Sequence, residues 1–128
     1  MEYYFKRTLE ATFDEVETRV KKELEKEGFG VLTEIKLEEA FKKKLDKDFR
    51  RYHILGACNA PYAFEALKAE DKIGTMLPCN VIIQEWEENK IEVAAVNPVA
   101  SMQAVENDDL NGTAREIAKK LLRVVEMI

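Results

Sequence analysis

Residues 77–96 read LPCNVIIQEWEENKIEVAAV, and no other stretch limits the fold as much. Two apolar, β-branched runs flank a polar turn around Glu88 and Asn89, which predicts an antiparallel hairpin. A sheet that contains such a hairpin is not a purely parallel one, so the upstream alternation of strands and helices does not imply a doubly wound α/β fold.

That upstream pattern is clear. MEYYFKRTL alternates large apolar with polar residues and predicts a first strand. In TFDEVETRVKKELEKEG, Thr12 and Glu15 stand at capping-box spacing, and Phe13, Val16, Val20 and Leu24 form one apolar helical stripe that Gly28 ends. FGVLTEI predicts a second strand and LEEAFKKKL a short helix with Leu37, Ala40, Phe41 and Leu45 on one face. FRRYHILGAC alternates again, and both of its sides end apolar, so it predicts a strand inside the sheet.

Asn59 as N-cap and Pro61 in a first turn open a third helix, PYAFEALKAED. After the hairpin, Pro98 starts a short helix over PVASMQAVE. From Asn107 onward the chain is helical, with Ile117, Leu121, Val124 and Val125 inward and Thr113 and Glu116 repeating the capping-box spacing. The second and third helices are too short for regular crossovers. The expectation is one α+β domain over residues 1–128: a mixed or mostly antiparallel sheet of about five strands, with helices packed on one face.

Composition sets the boundaries of function. A net charge of −5 argues against nonspecific nucleic-acid binding. No run approaches the roughly 18 apolar residues of a membrane span, and the charged start MEYYFKRTLE lacks the apolar core of a signal peptide. A soluble, cytoplasmic protein is expected, in which the two cysteines are free thiols.

Each cysteine precedes an asparagine: Cys58–Asn59 in GACNAP, Gly56 to Pro61, and Cys79–Asn80 in LPCNV, Leu77 to Val81. With EGFGVLTEI, Glu27 to Ile35, and the late AVNPVASM, these segments resemble the domain-of-unknown-function 302 family along essentially the whole chain. Ala60 departs from the pattern, since many relatives place proline directly after the asparagine. The resemblance implies a fold similar to the TATA-box-binding-protein-like group, often as a homodimer. It implies neither DNA binding nor any established reaction.

The residues themselves support two readings of the cysteine segments. Cys58, between a strand and a helix N-terminus, is placed where helix dipole and amide donors favour a thiolate. Cys79, at a strand start, reads as core. If the two strands are neighbours, Cys58, Asn59, Cys79 and Asn80 would line one pocket for a small polar ligand. Otherwise Asn59 caps its helix, Asn80 bonds nearby backbone, and the thiols are packing. A noncatalytic binding or interaction domain, a homodimer with that pocket, follows from the first arrangement. The alternative is a thiol redox enzyme with Cys58 as nucleophile and Cys79 resolving.

The single histidine, His53, fits a core or surface position better than a metal site, because its spacing to the cysteines is no ligand pattern. No metal and no cofactor is implied: Gly28 and Gly30 make no phosphate cradle. Trp86 and Tyr62 read as core, interface or pocket aromatics. The one basic stretch, FKKKLDKDFRRYH, reads as a solvated helix face to which an anionic group could also dock.

Overall fold

The computed structural model describes all of residues 1–128. Strand β1 (Tyr4–Leu9) leads into helix α1 (Phe13–Lys26), then β2 (Gly30–Lys36), α2 (Leu37–Leu45), β3 (Tyr52–Cys58) and α3 (Ala60–Ala69). The hairpin strands β4 (Cys79–Glu87) and β5 (Lys90–Val96) follow, then a single turn α4 (Pro98–Ser101) and the long α5 (Asn111–Met127). Short 3-10 segments at Asp71–Met76 and Asp108–Leu110 precede β4 and α5.

The strands form one sheet in the order β1-β5-β4-β3-β2, every neighbouring pair antiparallel. The hairpin therefore sits at the centre of the fold. Asn89 supplies the positive φ of +62° that its tight turn requires.

Helix α1 begins as its sequence dictates. Thr12 Oγ1 accepts from the Glu15 amide at 3.2 Å, and the Glu15 carboxylate accepts from the Thr12 amide. Its stripe of Phe13, Val16, Val20 and Leu24 is almost fully buried, worth roughly 1.5–3 kcal/mol per side chain. That stripe and the Ile117, Leu121, Val124 and Val125 stripe of α5 cover Leu55, Val81, Ile83 and Val93 of the sheet. All of these inward strand positions lie on one face.

Three details differ from expectation. The helix after Pro98 stops at Ser101 rather than Glu106. No capping box forms at Thr113, because Asn107 caps the preceding 3-10 turn and the helix runs straight through Thr113. Trp86 is half-exposed rather than core.

Candidate functional site

The two cysteine segments do meet, at one end of the sheet. The register of β3 with β4 sets Ala57 opposite Cys79 and Gly56 opposite Asn80. A β-carbon on Gly56 would stand 2.2 Å from Thr33 Oγ1 and 2.8 Å from Pro78 Cγ, so only glycine fits between them. Gly56 and Pro78, one from each quoted motif, are thus partners in packing.

On the helix-covered side, Cys58, Asn59 and Cys79 border a hollow together with Tyr62 of α3 and Ile117 of α5. Eleven of its fifteen lining residues are hydrophobic, and no histidine, carboxylate or basic side chain is among them. Its enclosed space is about 40 Å3, room for a water or two and far below the ~300–1,000 Å3 of a usual small-molecule site.

Both thiols are free. Cys58 is half-buried. Cys79 is buried, and this burial, helped by neighbouring Cys58, pushes its thiol up to about 11. A group held so firmly in the thiol form is a poor nucleophile.

Asn59 holds the N-cap position of α3, as expected, but its side chain makes no capping bond there. Its Nδ2 instead donates to the Glu27 carbonyl at 3.0 Å. The amide lies against Gly28, which takes φ +86° and whose added β-carbon would come within 3.2 Å of Asn59 Nδ2. Asn59 therefore ties the end of β3 to the turn between α1 and β2. Asn80 is exposed, and its side chain lies with Tyr4, Ile82 and Ala94 on the opposite, uncovered face. The expected set of four is three residues on one face and one on the other. The two-residue period of a strand requires this of the adjacent pair Cys79 and Asn80.

His53 is a core histidine, 2% exposed, but its partners were not legible. Nδ1 faces Glu17 Oε2 at 2.5 Å and Nε2 faces Glu38 Oε2 at 3.0 Å. Burial pushes the Glu38 carboxyl up, yet the Tyr52 amide, Glu38's own amide and His53 outweigh it and hold that carboxyl below its ordinary value. With His53 buried and both carboxylates partly exposed, the trio braces α1, β3 and α2 against one another. No three His, Cys, Asp or Glu side chains of the chain are placed to share a metal ion.

The uncovered sheet face carries a row that crosses all five strands: Ile35 on β2, Ile54, Ile82, Ala94, then Lys6 on β1. Ile35 is 46% exposed and the other apolar members are half-buried. At one end of this face the Arg50 guanidinium lies between the rings of Phe49 and Trp86.

These elements build one antiparallel α+β domain whose sheet is covered by helices on one face only. Its family is clear from comparison. The family model "Domain of unknown function DUF302" matches residues 5–128, and the chain belongs to that family. It is similar to the crystal structure of an uncharacterised conserved DUF302 protein from Bacillus stearothermophilus, at 23% identity and TM-score 0.91, over 99% of this chain and 98% of that one. At that identity the likeness establishes the fold. No curated protein matches the chain, and no helix is long and apolar enough to cross a membrane.

Proposed function

We propose that the chain is a noncatalytic interaction domain that works as a homodimer, two copies meeting across the uncovered sheet face. The observation that carries this reading is the row Ile35, Ile54, Ile82 and Ala94, apolar side chains turned toward water across adjacent strands. A contiguous apolar patch of this kind marks an interaction site. A two-fold interface also has to be complementary to itself. This face holds both signs, Lys6 and Glu92, beside its apolar centre.

Size supports the same occupant. Five strands about 4.8 Å apart and six to nine residues long make a face of roughly 24 by 20–30 Å. That is roughly 500–700 Å2, a little under the ~800 Å2 that each partner contributes to a standard interface.

The hollow at Cys58, Asn59 and Cys79 has room for a water or two and carries no part of this reading. The thiol-enzyme alternative is weaker. It needs a resolving thiolate at Cys79, where burial favours the thiol.

Sedimentation equilibrium tests the dimer. The wild type should sediment as a dimer and Ile82→Glu, which sets a charge in the centre of the row, as a folded monomer. A wild type that stays monomeric as concentration rises, or an Ile82→Glu variant that still pairs, overturns the proposal.

A further inference from the structure

The basic stretch of residues 41–53 disposes of its charges unevenly. Lys42 is spent on Asp46 and Asp48, at 3.2 and 3.4 Å. Arg51 is spent on Asp14 at 2.8 Å and lies over the Phe13 ring. Arg50 pairs with no carboxylate, in a chain that carries 25 acidic residues. It is nevertheless held in place. Its guanidinium carbon is 4.4 Å from the Phe49 ring centre and 4.1 Å from that of Trp86. Its Nε donates to Gln84 Oε1 at 2.9 Å.

The brace behind this clamp is equally specific. Gln84 is only 7% exposed, and its Nε2 donates to Glu92 Oε1 at 2.8 Å, which turns its carbonyl oxygen toward Arg50. Lys6, 3.9 Å from Glu92, offsets the charge of that carboxylate. Of the five N–H donors of a guanidinium, one is used, leaving the four on the terminal nitrogens without a protein acceptor.

We infer that Arg50, clamped between Phe49 and Trp86 and oriented by Gln84, is the anchor of an oxyanion-binding site that takes a carboxylate or phosphate group on its terminal nitrogens. The guanidinium fork matches either group with paired hydrogen bonds. The ring stacking fixes the long side chain beforehand, so little of its freedom remains to be lost on binding. Trp86 and Phe49, 50% and 41% exposed, leave the clamp open to solvent. All of these residues lie in one chain, at the end of the sheet face beside the row Ile35, Ile54, Ile82 and Ala94, so the Ile82→Glu monomer should respond to the anions as well.

Trp86 is the only tryptophan, which gives the test an optical signal. The full chain is titrated separately with inorganic phosphate and with acetate at constant ionic strength. Trp86 emission and the Arg50 Nε–H resonance are followed together. Both should move saturably, and the tighter of the two anions identifies the ligand as a phosphate ester or a carboxylate. Arg50→Lys, which keeps the charge and loses the fork, should weaken binding at least tenfold, while Lys43→Gln, in the same basic stretch, leaves it unchanged. An Arg50 resonance that does not saturate with either anion overturns the site, and this wild-type reading stands even if Arg50→Lys folds poorly. A response that Arg50→Lys retains, or that Lys43→Gln abolishes equally, would mean diffuse charge attraction and overturns it as well.

Discussion

Two cysteines that look alike in sequence differ in what surrounds the sulfur. Cys79 begins an inner strand under α3 and α5, and burial in that apolar wall disfavours its anion. At pH 8, a thiol with a pKa of about 11 is ionised in roughly one molecule in a thousand, against about a quarter for a free cysteine. Cys58 is half-buried and lines the same hollow. Iodoacetamide at pH 8, followed by peptide mass spectrometry, should therefore label Cys58 first and Cys79 only after denaturant is added; equal labelling in the folded protein would contradict this account. The motif residues around them are structural. Gly56 admits Thr33 and Pro78, and Asn59 reaches the Glu27 carbonyl. That last bond spans 32 positions. Local rules placed Asn59 correctly at the N-cap of α3 but could not show that its side chain bonds a distant carbonyl instead of the helix. The outward turn of Asn80, by contrast, was already present in strand alternation.

Helix α2 shows what periodicity reveals about an element and what it does not. Its place between β2 and β3 was legible, because apolar spacing changes from two to nearly four residues at Leu37. How it is held was not. None of its residues is buried. Its attachment relies on Glu38, whose carboxylate accepts from the Tyr52 amide and faces His53, with Phe41 edge-on to Phe49 at 5.3 Å. Glu17, Glu38 and His53 come from three separate elements, and no spacing rule connects them. A consequence for pH follows. Glu38, Glu27 and Glu34 all have carboxyls below the ordinary 4.5 in the folded chain: Glu38 through the Tyr52 amide and its companions despite burial, Glu27 through Arg123, and Glu34 through Lys21. A depressed folded pKa adds stability above 4.5 and loses it as pH falls through the lower folded value. Urea unfolding should show stability declining below about pH 4.5. Glu38→Gln should be less stable near neutrality by roughly 1–3 kcal/mol, with a shallower acid decline. An acid limb identical in wild type and variant would show that Glu38 does not anchor α2.

At the scale of the whole molecule, one layer of helices covers one face of a five-stranded sheet and leaves the other face turned outward. The centre of the covered face is apolar, with Arg7, Glu34, His53 and Glu85 beside Val93, Leu55, Ile83 and Ile91. On the other face an apolar row runs between Lys6 and Ile35, with Asn80, Gln84 and Glu92 beside it. A permanently solvated face would favour polar residues at the central strand positions, yet Ile54 and Ile82 occupy neighbouring strands there. If that row is completed by a second copy, pairing is linked to folding and stabilises the folded chain. The unfolded state is then two separate chains, and mass action makes the melting temperature rise with protein concentration. Calorimetric scans over a wide range of concentrations should show this rise for the wild type and a fixed melting temperature for Ile82→Glu. Crossing of the two behaviours also separates the dimer from the anion site: Arg50→Lys should keep the concentration dependence while losing the response to phosphate and acetate. A wild-type melting temperature indifferent to concentration would leave the isoleucine row without a partner and refute the homodimer.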